Sequence, residues 1–381
     1  MPPSSAVVAP LRKVNDFAIH DAEALRLILR GGAVLDWHRL NFDHEAQAVN
    51  LVRNHELRLD LPSDVLFIKR AIADSIGYLR RQYSLAIPKP VEEASLVELM
   101  MMASGKGHRQ SVACTILKTL TITHYLSCRE LLFRLPVSDR DLFHLVEEKV
   151  YRVVGAMLSG GFPITEFIGG RKNLDSTYTK LLSKSASTAS NLYDKLRFRI
   201  VAKTQADILP ILLYLSEHLF PFNAVIAGES TNTLFHFPTY CENDPHLAQF
   251  LPRFQGVKDE ALSAADNRFS ARNYRVIHYV ASVPVRVPEH LMELAPPGSE
   301  NLGPVVQVPC EFQMLDAETD SANEVGDASH DAYKQRQRDA VFRRLRLGAQ
   351  APDPTSEAPL APDADDAPQG RSKSSSGSGV S

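Results

Sequence analysis

The spacing of apolar residues changes near residue 160, and this change limits what the chain can fold into. Before it, apolar residues recur at the three- and four-residue intervals of an amphipathic helix, over residues 22–29, 65–83, 91–103, 111–133 and 139–158. Ser138 precedes Asp139 and Asp141, as at a helix N-terminus. A Gly-Gly-Phe-Pro run at 160–163 then ends the pattern. We therefore predict an all-helical N-terminal domain over residues 11–160, with a boundary in a glycine-rich connection between 159 and 170.

The second half carries the period of two that is typical of strands. The predicted strands are residues 196–201, 223–229, 233–237, 274–287 and 305–314, and a last helix spans 322–347. Thr204 and Asp207 are placed to cap a helix that runs to about Leu219. A Ser-Thr-Asn turn between the second and third strands indicates a hairpin. The order β-α-β-β-β-β-α predicts an α+β domain over residues 165–347, a mixed β-sheet flanked by helices.

Several classes of protein are excluded by composition. Residues 1–10 are rich in Pro, Ser and Ala, and residues 348–381 in Pro, Ala and Asp and then Ser and Gly, so we expect both ends to be disordered. Cys114, Cys128, Cys241 and Cys310 lie far apart, which argues against a zinc knuckle or a disulfide framework. No apolar run approaches the roughly 20 residues of a membrane span, and the N-terminus lacks the features of a signal peptide. We expect a soluble, cytoplasmic protein.

The net charge of −3, from 42 Lys and Arg against 45 Asp and Glu, is unevenly distributed. Residues 348–381 hold five acids and two bases, which leaves the rest of the chain neutral. Within that neutral part, residues 171–203 hold eight bases and two acids. Such a local excess indicates a confined anionic ligand rather than a nucleic-acid coat. A solvated charged face is the alternative.

The basic stretch contains a candidate phosphate clamp. Neither a Walker loop nor a G-x-G-x-x-G motif occurs in the chain. Arg171 and Lys172 are followed by Ser176, Lys180 and Lys184, which share one face if this segment is helical. Lysine and arginine on such a face can bind a polyphosphate. Basic helical faces are also common without any ligand.

Polar residues on the strands add candidates for cation binding and acceptor contact. Asp194, an isolated acid before Arg197 and Arg199, is either a salt-bridge partner or a ligand for a hard cation. Period two places Tyr274 with His278 on one strand face, and Glu311 with Gln313 on another. The opposite face of the latter strand is apolar, so its polar face is predicted to line a site. Two carboxylates from different strands beside a basic clamp fit Mg²⁺-assisted transfer on a nucleotide.

These pieces, in this order, resemble the motifs of the RelA/SpoT-type (p)ppGpp synthetase domain, which has a nucleotidyltransferase-like fold. The resemblance covers about residues 165–346. The motifs are Arg171-Lys172 through Ser176 to Lys180, Asp194 through Arg197 to Val201, Asn273-Tyr274 through His278, Glu311-Phe312-Gln313, and His330-Asp331-Ala332-Tyr333-Lys334. The N-terminal half lacks the H…HD…D pattern of the hydrolase domain in long members of that family.

The resemblance implies a pyrophosphokinase that moves the β,γ-diphosphate of ATP to the 3′-hydroxyl of GDP or GTP and releases AMP. It implies the following roles: ATP binding by Arg171, Lys172, Ser176, Lys180, Lys184 and Arg199; Mg²⁺ binding and catalysis by Asp194 and Glu311; stacking on guanine by Tyr274; and acceptor contacts by His278 and Gln313. Glu311 would also help to deprotonate the attacking hydroxyl.

Departures from the family pattern leave alternatives open. Asn273 stands where a glycine usually precedes the stacking tyrosine, and Met314-Leu315 stand where an arginine usually closes the strand. The spacing from Arg171 to Ser176 is one residue shorter than usual. One alternative is a tRNA 3′-end pyrophosphokinase, in which residues 336–346 and 172–184 would contact the RNA backbone. Another is a catalytically inactive nucleotide-binding protein. The helical N-terminal domain would regulate the enzyme, bind a partner, form a dimerisation layer, or cover the nucleotide site.

Overall fold

The computed structural model describes residues 9–31, 35–183, 195–234, 236–254, 273–325 and 329–345. Asp194, Lys184 and the tail at 348–381 lie outside this part of the chain. The first half is helical, as predicted. Its helices are α1 (Ile19–Arg30), α2 (Glu45–Asn54), α3 (Pro62–Tyr83), α4 (Lys89–Glu92), α5 (Leu96–Ser104), α6 (His108–Arg134) and α7 (Asp139–Ser159).

The ends of α7 follow from the residues that the sequence places there. The hydroxyl oxygen of Ser138 accepts a hydrogen bond of 3.2 Å from the backbone N–H of Asp141, so it satisfies one of the free donors of the first turn. The helix stops at Ser159, and Gly161 then adopts a φ of +73°, which is open to glycine. The predicted N-cap and helix stop are both confirmed.

The second half forms a five-stranded mixed sheet among the described residues, with the strand order β1-β2-β5-β4-β3. The strands are β1 (Ile164–Arg171), β2 (Leu196–Ala202), β3 (Thr231–Asn232), β4 (Ile277–Arg286) and β5 (Val305–Asp316). Strands β2 and β5 pair in parallel, and the other pairs are antiparallel. The helices of this half are α8 (Leu174–Ser183), α9 (Ile208–His218), α10 (Phe237–Asn243), α11 (Leu251–Phe254), α12 (Glu289–Met292), α13 (Ala317–Asn323) and α14 (His330–Leu345). The α+β fold class is confirmed.

Strand β1 is absent from the sequence-based prediction, which placed a loop there. Its two glycines weaken the strand pattern, but Gly169 has a packing reason. A Cβ atom at this position would lie 2.9 Å from the hydroxyl of Tyr151 and 3.0 Å from the ring of Phe198. Close contact with α7 and β2 therefore requires glycine in a paired strand.

The predicted hairpin is wrong. Residues Phe222–Ala224 form a 3-10 turn, the paired segment is limited to the two residues of β3, and α10 begins at Phe237 with Pro238 in its first turn. Proline in the first turn favours a helix start because its missing N–H is not needed there. The predicted helix at 322–347 is also corrected, because the described residues form two helices, α13 and α14.

One face of the sheet carries the aromatic core. Phe198, Tyr279 and Phe312 lie on adjacent strands and are almost fully buried, with the Tyr279 and Phe312 rings stacked at 5.3 Å between centroids. Helices α7 and α9 supply apolar residues to the same cluster. Helices α2, α3, α5 and α6 enclose a second apolar cluster, which includes Val305 of β5. No helix in the described ranges is long and apolar enough to cross a membrane.

Candidate functional site

Strands β2, β5 and β4 place polar side chains on the face opposite the aromatic core. Arg199 is in register with Gln313, and Gln313 with His278. Arg197 is in register with Glu311 on the same strands. Since residues paired across strands project from the same face, these five side chains share one surface. The period-two prediction that Glu311 and Gln313 oppose the apolar residues of β5 is confirmed.

Glu311 is the best-enclosed acid of this surface, with 8% of the residue exposed. Its Oε1 accepts a hydrogen bond of 2.8 Å from Nε2 of Gln313 and lies 3.2 Å from Nε2 of His278. A carboxylate in such a position is costly to bury unless it has partners. The two neighbours hold the carboxylate in place and set its orientation.

Asp320 joins this surface from α13 and forms an ion pair with Arg199. The start of α13 is fixed by Asp316, whose side chain accepts a hydrogen bond of 3.0 Å from the N–H of Thr319. Asp320 is not among the site residues predicted from the sequence. The available signal was an acid in the first turn of a helix that directly follows the strand of Glu311.

Tyr274 precedes β4 and is half-buried. Burial raises the pKa of its phenol, the charge of Arg199 opposes this rise, and Glu311 and Asp320 add to it. The tyrosine thus lies within electrostatic reach of the same charged groups. Its segment is anchored to α13, because Nδ2 of Asn323 donates a hydrogen bond of 2.7 Å to the carbonyl of Arg275.

Arg171 is on the other face of the sheet. It is in register with Leu196, whose side chain belongs to the core. Its guanidinium makes a bidentate ion pair with Glu147 of α7, at 2.8 and 2.7 Å, and lies over the ring of Phe143. The structure therefore does not bring Arg171 to the surface that holds Arg199 and Glu311.

The segment after Arg171 forms the predicted basic helix. The side-chain oxygen of Asn173 accepts a hydrogen bond of 2.7 Å from the N–H of Ser176 near the start of α8. Ser176 and Lys180 are one turn apart on this helix. The backbone N–H of Lys172 bonds to the carbonyl of Lys195, which ties the helix start to β2. At the other end, Arg344 of α14 donates hydrogen bonds to two carbonyls of α8, at 3.2 and 3.0 Å.

Two of the positions that depart from the motif pattern, at the end of β5, belong to the apolar core. Met314 and Leu315 are both buried, and the hydroxyl of Tyr279 points to Sδ of Met314 at 3.8 Å. An arginine at Met314 would displace this packing. The end of β5 therefore adds no arginine to the surface that holds His278 and Gln313.

The carboxylate oxygen atoms on this surface are of the kind that binds Mg²⁺. In the described ranges, no group of three or more His, Cys, Asp and Glu is arranged to hold a metal ion. Mg²⁺ commonly binds through one or two carboxylates together with substrate phosphates, however. Glu311 supplies one such carboxylate, and the second predicted ligand, Asp194, lies outside the described residues.

The chain is similar to several solved structures. No family model and no curated protein matches the chain. Small alarmone synthetase 2 from Bacillus subtilis is similar over 57% of this chain and 94% of its own, at 16% identity and a TM-score of 0.28. Small alarmone synthetase 1 from the same organism is similar over 55% of this chain and 93% of its own, at 14% identity and a TM-score of 0.29. A GTP pyrophosphokinase family protein from Streptococcus pneumoniae covers 54% of this chain and 84% of its own, at 14% identity and a TM-score of 0.29.

At these TM-scores the superpositions assign no role to any residue of the chain. Site roles therefore depend on the motifs and on the geometry of this chain. The protein is similar to small alarmone synthetases and to a GTP pyrophosphokinase family protein.

Proposed function

We propose that the chain is a Mg²⁺-dependent nucleotide pyrophosphokinase that transfers the β,γ-diphosphate of ATP to the 3′-hydroxyl of GDP or GTP. The observation that carries this proposal is the enclosed carboxylate of Glu311, oriented by Gln313 and His278 on the surface that also holds Arg199. A transfer of this type needs positioned reactants and neutralised phosphate charge more than covalent help from the protein.

In the proposed reaction, the 3′-oxygen of the acceptor bonds to the β-phosphorus of ATP. The bond between that phosphorus and the oxygen of the α-phosphate breaks, and AMP leaves. Glu311 takes the proton of the attacking hydroxyl and passes it to solvent. Gln313 and His278 keep the carboxylate facing the acceptor. Tyr274 stacks on the guanine.

On the donor side, we assign the ATP phosphates to Arg199 and to Lys172, Ser176, Lys180 and Lys184. Arg171 projects from the other face of the sheet and is left out of this assignment. Glu311 and Asp194 are the proposed protein ligands of Mg²⁺. When bound, the ion neutralises charge on the phosphates and favours departure of AMP.

The direct test supplies the purified chain with ATP labelled in its γ-phosphate and with GDP, GTP or tRNA as acceptor. We expect label on the guanosine nucleotide, with one AMP released per transfer. Label on tRNA would instead support the tRNA 3′-end pyrophosphokinase. No transfer to any acceptor with Mg²⁺ present would contradict the proposed activity.

Asp320 forms an ion pair with Arg199, whose guanidinium we assign to a phosphate of ATP. The Asp320 carboxylate and that phosphate therefore compete for Arg199. Replacement of Asp320 by Asn removes the competing charge, and we expect the KM for ATP to fall by up to about fivefold, the value of a partly exposed ion pair. Steady-state kinetics with varied ATP measures this change. Glu318→Gln, an exposed acid of the same helix, is the matched control. A KM that rises in Asp320→Asn would show that the aspartate positions Arg199 for substrate.

A further inference from the structure

The main chain beside Tyr274 is held by side chains instead of by a strand partner. Strand β4 pairs with β5 only from Ile277 onward, so the N–H and C=O groups of Arg275 have no partner in the described sheet. Asn323, the last residue of α13, bonds to both groups. Its Oδ1 accepts a hydrogen bond of 3.1 Å from the N–H of Arg275, and its Nδ2 donates one of 2.7 Å to the carbonyl. The amide of Asn323 therefore takes the place of a strand partner.

A hydroxyl group holds the same segment from the opposite side. Thr233 directly follows β3, and its Oγ1 accepts a hydrogen bond of 3.0 Å from the N–H of Val276. The same hydroxyl lies 3.1 Å from the carbonyl oxygen of Tyr274, to which it can donate. The main chain of residues 274–276 is thus fixed between the end of β3 and the end of α13.

The ring of Tyr274 depends on this main chain for its direction. Among the described residues, its hydroxyl makes no hydrogen bond and its ring contacts no other ring. A side chain occupies a small set of staggered rotamers, so the position of the main chain limits where the ring can point. The charges of Arg199 and Glu311 act on the phenol, which places it at the candidate site.

Asn323 also connects this segment to the rest of the candidate site. The residue is 3% exposed, so its two hydrogen bonds are shielded from water, and loss of either leaves a buried polar group without a partner. Its helix directly follows the strand of Glu311. Asp320, one turn earlier on α13, forms the ion pair with Arg199. One short helix therefore joins the carboxylate strand and the guanidinium to residues 274–276.

We propose that Asn323 is a positioning residue for the acceptor nucleotide. It holds residues 274–276 so that the ring of Tyr274 faces the base of the acceptor, and it acts on binding through that tyrosine. This inference rests on the proposed function, in which Tyr274 stacks on the guanine. Stacking requires the planes of ring and base to match, so a main chain without this support weakens the contact.

The test compares Asn323→Ala and Asn323→Asp with the wild type in the full-length chain. Alanine removes both hydrogen bonds. Aspartate keeps the volume, so it stays informative if the alanine variant does not fold, but it sets a second oxygen against the carbonyl of Arg275. In both variants we expect the KM for GDP to rise, by about tenfold for alanine, within the range of one base–aromatic stack. The KM for ATP should not change, because the pair of Asp320 and Arg199 remains.

Calorimetric titration with GDP in the presence of α,β-methylene-ATP measures acceptor binding without turnover. A double-mutant cycle with Tyr274→Ala then separates positioning from stability. Asn323→Ala should raise the dissociation constant for GDP in the wild-type background but not in the Tyr274→Ala background. Asn243→Ala, at an exposed asparagine that ends α10, is the matched control and should bind GDP as the wild type does.

Two results would overturn the proposal. One is an unchanged dissociation constant for GDP in a variant of Asn323 that thermal unfolding shows to be folded. The other is an equal loss of binding in the wild-type and Tyr274→Ala backgrounds, which is the behaviour of a residue that only stabilises the fold. Failure of the proposed function is recognised separately, since the wild type itself would then neither bind GDP nor transfer diphosphate to it.

Discussion

Glu311→Gln should lower the rate of diphosphate transfer by at least about a thousandfold while the protein stays folded. Glutamine preserves the shape of the side chain but removes the negative charge that accepts the proton and binds Mg²⁺. Loss of a general base alone costs about 10²–10⁴ in rate, and a weakened metal site adds to this loss. Single-turnover transfer from labelled ATP to GDP measures the effect.

The matched control is Glu289→Gln, an exposed acid at the start of α12 that takes no part in the site. It should transfer at the wild-type rate. Thermal unfolding of Glu311→Gln should give a Tm close to that of the wild type, because the amide can still accept from Gln313. A folded Glu311→Gln with more than a tenth of wild-type activity would eliminate Glu311 as the catalytic carboxylate.

The second large effect concerns stability in mild acid. His55 and His124 have pKa values of about 3 and about 4 in the folded protein, lowered chiefly by burial, against about 6.5 in an unfolded chain. At pH values between the folded and the unfolded pKa of these histidines, the unfolded chain binds more protons than the folded one. Stability present above pH 6.5 is therefore lost as the pH falls toward 4. We expect the free energy of unfolding to drop by several kcal/mol over this range.

Urea unfolding at a series of pH values from 7 to 4.5 measures this slope, and the window stays above the ordinary pKa values of carboxyl groups. His124→Gln should flatten the slope because one of the two titrating groups is removed. His144→Gln changes a histidine of α7 whose side chain is 67% exposed, and it should leave the slope unchanged. Identical slopes in His124→Gln and the wild type would contradict the assignment.

The alternation of apolar and polar side chains along β5 was sufficient to predict which residues face the core and which face the opposite surface. Glu311 and Gln313 alternate with Cys310, Phe312 and Met314, and the structure confirms this division. The pattern is strong because the apolar side of the strand has no polar exception over five positions. The same reasoning predicted α7 and its N-cap, since the capping signal is local.

The positions that were misplaced or missed depend on contacts between distant parts of the chain. Arg171 faces α7 because β1 pairs with β2 in a register that sets it beside Leu196, and its partner Glu147 is 24 residues away. Strand β1 itself contains Gly169, which a single sequence marks as a loop but which close packing against Phe198 requires. Asp320 meets Arg199 across 121 residues, so no local pattern could reveal this pair.

Strand β5 lies between β2 and β4 in the sheet but follows both along the chain. During synthesis on the ribosome, β2 and β4 leave the exit tunnel before the strand that joins them. Until residue 316 has emerged, β4 cannot bring His278 beside Glu311, and the hydrogen-bonding edges of β2 and β4 that β5 later fills stay open. Such non-local pairing slows folding and exposes strand edges to other chains. A nascent chain therefore exposes the open edges of β2 and β4 early in synthesis and completes the geometry of its candidate site late.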